Sequence, residues 1–216
     1  MTISTVEKVL SQSKALYFLC ILLLFADWSF GQTNVVRVNL PKDYSNTYKS
    51  ELCNYLFPKV DTLIDKVVVL FFVMPINDPE YSIRIINRNN QSFIEARFLE
   101  KSLWRELFQH LVKRDVNPLL LNVNFFSVPI STPFTEKMLI AFTNVIHNKK
   151  LSNELPLDGT IYEFWIFDQS AGVRSLEVNS PEYGTIEDSM ASLCTRIAND
   201  LKNQLFEESN YIEKLK

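Results

Sequence analysis

Between Asp43 and Phe57 the apolar residues Tyr48, Leu52, Tyr55 and Leu56 recur so as to share one side of a helix. The rhythm then changes. Lys66–Met74 is one lysine followed by eight apolar residues rich in Val and Phe, closed by Pro75, which fits a central strand buried on both faces. Tyr81–Asn87 and Ser92–Phe98 flank Arg88-Asn89-Asn90-Gln91. Asparagine tolerates positive φ, so this segment reads as a β-hairpin. Leu103, Leu107, Phe108 and Leu111 form a helical stripe within Leu99–Lys113, and Leu119–Ile130 alternates imperfectly as a strand that ends beside a proline. Thr132 is placed to cap a helix whose first position is Pro133, with Glu136 near the positive end of its dipole and Phe134, Met138, Ala141, Phe142 and Val145 on its apolar side.

After the turn signal Leu157-Asp158-Gly159, Thr160–Phe167 and Gly172–Val178 read as two strands joined by Asp168-Gln169-Ser170-Ala171. Ile186, Met190, Leu193, Ile197, Leu201 and Leu205 then mark a long amphipathic helix. With a short β-like run at Val35–Leu40, the order is β-α-β-β-β-α-β-α-β-β-α. It predicts an α+β fold, a mostly antiparallel sheet with helices packed on one face, in a single domain. Strands that do not alternate singly with helices argue against a doubly wound sheet, and the chain has neither GxGxxG nor GxxxxGK[ST].

The first 31 residues follow another pattern. Lys8 and Lys14 precede an apolar run of 12 residues, Ala15–Ala26, interrupted by Asp27. That run is too short to span a hydrocarbon core but suits a secretory signal, and Ser29 and Gly31 put small residues at −3 and −1 of a cut before Gln32. Residues 1–31 are therefore expected to be a signal peptide and 32–216 the single mature domain; a buried N-terminal helix or a short anchor is the competing reading. Tyr17-Phe18-Leu19 ahead of Cys20 lacks the small residue that lipoprotein processing needs at −1.

Composition narrows the function classes. Hydrophobic residues make up 47% and charged residues 22%, enough for a core and against disorder. The net charge is −3, and removing the leader takes away two bases and two acids, so no basic field emerges to gather nucleic acid or anionic lipid. Cys53 and Cys194 remain, an even pair that an oxidising compartment would permit to bridge, although a buried pair of free thiols is the preferred reading. With two histidines, no HExxH and no GxSxG, neither a metal site, a cofactor site nor a nucleophile elbow is expected; Glu106 and His110 read as a helical surface pair.

The unusual residues are polar ones inside apolar strands. Alternation puts Glu95 and Arg97 on one face of their strand and Glu163, Trp165 and Phe167 on one face of theirs, with Arg174 on the next strand. These residues either form the solvated side of a half-covered sheet, paired across strands, or build a surface of aromatics and arginine for a ligand.

From Tyr81 onward the motifs Phe93-Ile94-Glu95-Ala96-Arg97-Phe98-Leu99-Glu100 running into Leu103-Trp104, then Pro129-Ile130-Ser131, Leu157-Asp158-Gly159-Thr160-Ile161-Tyr162-Glu163-Phe164 and Ser180-Pro181 resemble a group of uncharacterised exported proteins of Bacteroidetes. Asn179 departs from that pattern, which has an aromatic before the Ser-Pro. The resemblance implies export and a shared fold, and carries no activity. The expected function is thus a periplasmic or secreted binding protein without catalysis, its partner an unknown protein or envelope ligand. The alternative is a hydrolase acting on envelope or dietary polymers through strand-borne carboxylates such as Glu95, Asp158 and Glu163.

Overall fold

The run of Val and Phe after Lys66 forms strand β1 (Asp65–Pro75), and it is central because both of its edges are hydrogen-bonded. The computed structural model describes residues 44–57, 65–113, 118–148, 159–168 and 172–215. The leader with its cleavage site, the expected strand Val35–Leu40, and Leu157 and Asp158 lie outside the described residues. Helix α1 (Tyr44–Leu56) precedes β1; β2 (Tyr81–Arg88) and β3 (Gln91–Leu99) follow, then α2 (Leu103–Lys113), β4 (Val123–Ile130), α3 (Thr132–His147), β5 (Thr160–Asp168), β6 (Gly172–Asn179), α4 (Ile186–Lys202) and the short α5 (Ser209–Ile212). The six strands form one sheet in the order β4-β3-β2-β1-β5-β6, every neighbouring pair antiparallel. Residues Ser45–Lys216 cluster as one compact unit, an α+β fold as the pattern predicts.

The β2–β3 hairpin turns on Asn89 and Asn90, both with positive φ (51° and 65°), the geometry that a two-residue connection needs to match strand twist. One face of the sheet presents Val69, Phe71, Ile83, Ile85, Ile94, Ala96, Phe164 and Ile166 to α3 and α4, which fill the core with Phe134, Met138, Phe142, Met190, Cys194, Ile197 and Leu201. The long helices thus share one face. The opposite face presents Leu70, Phe72, Arg84, Glu95, Arg97, Glu163 and Trp165 in register, and α1 lies against its centre: Ser82 Oγ donates to Leu56 O (2.9 Å) and Phe57 stacks on Phe167.

Two helix boundaries depart from the pattern. Ser131, not Thr132, caps α3: Phe134 N–H donates to Ser131 Oγ (3.3 Å), and Pro133 follows inside the first turn. The negative charge at that helix end comes from Glu208, whose carboxylate accepts from Ser131 N–H and Oγ (both 2.6 Å); Glu136 lies beyond the first turn. Helix α4 stops at Lys202, because Gln204 takes a positive φ (59°); Ile186 and Leu205, expected on its buried stripe, are exposed. Cys194, Ala191 and Ala198 complete the stripe instead.

Candidate functional site

The strand-borne polar residues do not gather at one place. On the hairpin, Glu95 stands opposite Arg84, and Arg84 Nε donates to Glu95 Oε2 at 2.7 Å with both side chains almost fully buried. Arg88 Nη2 lies 3.9 Å from the other Glu95 oxygen and is paired chiefly with Asp65, at 2.6 Å. The hydrogen bond from Arg88 holds the Asp65 carboxyl below the usual carboxylate range. Glu95 is thus a buried, satisfied carboxylate with its acceptor positions turned to arginine.

Glu163 is also buried, and the partner that closes it is a lysine from α1, not an arginine from the sheet. Lys49 Nζ donates to Glu163 Oε1 (3.1 Å) and to Glu177 Oε2 (3.0 Å), while Trp165 Nε1 donates to the remaining Glu163 oxygen (3.0 Å). Burial works against the Lys49 charge, but its hydrogen bonds to Glu177 and Glu163 outweigh it and raise its pKa. Glu95 and Glu163 sit on β3 and β5 with two strands between them, a separation of about 14 Å at ordinary strand spacing. They do not form a carboxylate pair, and Asp158 is outside the described residues.

Arg174 is on the opposite face from Trp165. It pairs with Ile166, a core-facing residue, and its Nη1 lies 2.8 Å from Nε2 of His147 in the last turn of α3. Of the five candidates, Glu95, Arg97, Glu163 and Trp165 share a face; Arg174 does not. The cysteines are separated in the same way: Cys194 is buried on the core-facing stripe of α4, whereas Cys53 is exposed on α1 across the sheet, and both are free. The bridge left open by their even number is therefore not formed, because the sheet stands between them.

Arg97 has an arrangement of its own. Its guanidinium lies 4.6 Å from the ring centroid of Phe125, the cross-strand neighbour on β4, and its Nε is closed to solvent with no acceptor in reach. Among the described residues no carboxylate comes within ion-pair distance of it. Burial and the nearby Arg84 charge lower its pKa, against the pull of Glu95. Phe125 is 47% exposed, and Ser127 and Pro129 beside it on the same face of β4 are exposed too. The strand pattern contains the signal for this: Phe125 and Phe126 are consecutive, so one of the two rings had to leave the core.

Glu80 is the polar residue that sequence reasoning missed. Fully buried, it accepts from Tyr48 Oη (3.0 Å), Leu103 N–H (2.7 Å) and Trp104 N–H (3.0 Å), so one carboxylate ties α1 to the start of α2. An open groove of about 370 Å³ between β5 and α4 is lined by Tyr162, Asp188, Ser192, Thr195, Arg196 and Asn199; none of the strand-borne candidates reaches it. Among the described residues no group of His, Cys, Asp and Glu is arranged to hold a metal, and no helix is long and apolar enough to cross a membrane. Protein-family models, curated proteins and solved structures offer no match to this chain.

Proposed function

We propose that this chain is an exported binding protein, acting in the periplasm or outside the cell without catalysis of its own, and that its contact surface is the β3–β4 margin of the sheet. The observation that carries this reading is Arg97 resting on the exposed ring of Phe125, with no acid among the described residues in ion-pair reach of it. A cation–π contact at such a site contributes about 0.5–1 kcal/mol. Covering a half-exposed phenylalanine and supplying a hydrogen-bonded carboxylate would add more, so the pair is better satisfied with a partner than without one. Arginine and large aromatics are the side chains on which binding energy concentrates.

The hydrolase reading has less support. Glu95 is held by Arg84, and Glu163 by Lys49 and Trp165, which leaves neither free to act as a base on a substrate. Export rests on the charged, apolar and small-residue order of residues 1–31 and agrees with the resemblance to exported Bacteroidetes proteins. The partner is a protein or envelope component, and the net charge of −3 does not favour nucleic acid.

Retention of envelope components on immobilised protein starting at Gln32 tests the reading. Phe125→Ala and Arg97→Gln are expected to lose the retained component while changing stability by about 1 kcal/mol or less. Retention that survives both substitutions would overturn this site.

A further inference from the structure

The backbone of β4 adds a second property to the same margin. Glu100 N–H donates to Asn122 O (3.2 Å), one step beyond the Leu99–Val123 pair of the β3–β4 ladder. In an antiparallel ladder hydrogen-bonded pairs alternate with pairs that are not. Counting from Glu100 and Asn122, the bonded pairs are Phe98–Asn124, Ala96–Phe126 and Ile94–Val128, and the groups of Phe125 and Ser127 point away from β3. Pro129 falls in the same outward phase. Its missing N–H therefore costs the β3–β4 ladder nothing, and it closes only the far end of the outer edge of β4, with which no strand pairs among the described residues.

This outer edge and the arginine are in register. The residues whose backbone groups face outward, Phe125 and Ser127, are the ones whose side chains share a face with Arg97. The Arg97 guanidinium lies over the ring of Phe125, a residue of the edge strand itself. Only its Nε is closed to solvent, so its terminal nitrogens remain open to an acceptor. Among the described residues the charge left without an acid on this margin is that of Arg97, since the 40%-exposed Arg88 stands on β2 and is held by Asp65, whereas the other edge strand carries Glu177 beside Lys49.

From this we infer that the β3–β4 margin takes an extended segment of a partner protein, added as a seventh strand along β4, with an acidic side chain of that segment on Arg97 and an apolar one over Phe125. The inference rests on the binding reading above and names its partner chemistry. Main-chain bonds to Phe125 and Ser127 supply affinity, and the carboxylate on Arg97 sets which segments are accepted.

The probes are two end-blocked peptides, one alternating valine with glutamate and the other alternating valine with lysine, added to protein beginning at Gln32. Hydrogen exchange of the Phe125 and Ser127 amides and a titration of affinity are the measurements. The glutamate peptide is expected to protect both amides and the lysine peptide to protect neither. Arg97→Gln should weaken the glutamate peptide at least about tenfold, the scale of one charge-assisted hydrogen bond. Ser127→Pro removes an outward N–H without touching the β3–β4 ladder and should abolish binding with the thermal melt retained; if that variant does not fold, Arg97→Gln decides alone. Equal binding of both peptides, or protection that appears without peptide as protein concentration rises and so marks a second copy, would overturn the inference. If neither peptide protects β4 while Phe125-dependent retention of an envelope component persists, strand addition is wrong and the binding reading stands. If both are lacking, both fall.

Discussion

Arg84 and Glu95 face one another across the β2–β3 hairpin at 2.7 Å, each almost fully withdrawn from water. Removing Glu95 takes from the buried Arg84 guanidinium the carboxylate that its Nε bonds, so Glu95→Ala should lower stability by about 3 kcal/mol in urea denaturation. Arg84→Met combined with Glu95→Leu should cost less than the two single losses added together, because no charge is then left behind. A double variant that is as unstable as that sum would show the pair to be independent of its partner.

Tyr81 predicts an alkaline limit. Burial pushes its phenol up to about 12 from the ordinary value near 10, against the effect of its 2.9 Å hydrogen bond to Thr195. The unfolded chain then releases this proton first, so the contribution to stability is complete below pH 10 and is lost as pH rises toward 12, amounting to roughly 2–3 kcal/mol. Tyr81→Phe should be about 1 kcal/mol less stable at pH 7, through the lost bond to Thr195, and should show a shallower fall between pH 10 and 12. Melting temperatures measured across that range test both parts.

Glu80 serves three donors from two helices, so Glu80→Ala leaves Tyr48 Oη and the Leu103 and Trp104 N–H groups without their acceptor. The expected loss is about 3 kcal/mol, with faster hydrogen exchange at the first turn of α2. Glu80→Gln keeps one carbonyl oxygen and should lose less.

The thiols should react unequally. Cys194 is fully buried and burial raises its pKa, while Cys53 is exposed on α1 with a pKa raised more modestly by partial burial and the Glu163 charge. Iodoacetamide is expected to modify Cys53 in the native protein and Cys194 only after unfolding. Mass spectrometry under oxidising conditions should show no Cys53–Cys194 bridge.

The periodicity of the chain carried more of the fold than of the site. A two-residue turn at Asn89-Asn90 already places Arg88 opposite Gln91, and counting back from there brings Arg84 opposite Glu95. Arg174 shows where such counting fails. A connection of four residues from Asp168 to Ala171 would set Phe167 against Gly172 and Arg174 against Trp165, on one face. In the structure Asp168 pairs with Gly172, and that shift of one residue moves Arg174 to the other face, beside His147. The Lys49–Glu163 pair was hidden for a different reason, since 114 residues separate its members and only packing of α1 on the sheet brings them together.

The cap of α3 also fixes an order of events. Ser131 takes part of its cap from Glu208, 77 residues later in the chain, a stretch that requires several seconds of synthesis at about 5–20 residues per second. Helix α4, which closes the core over the sheet, is made within the same interval. During those seconds the strands that precede α3 have no complete helical layer to cover them. The emerging chain is therefore held open by its own connectivity, and a chaperone has that interval in which to engage it before the core shuts.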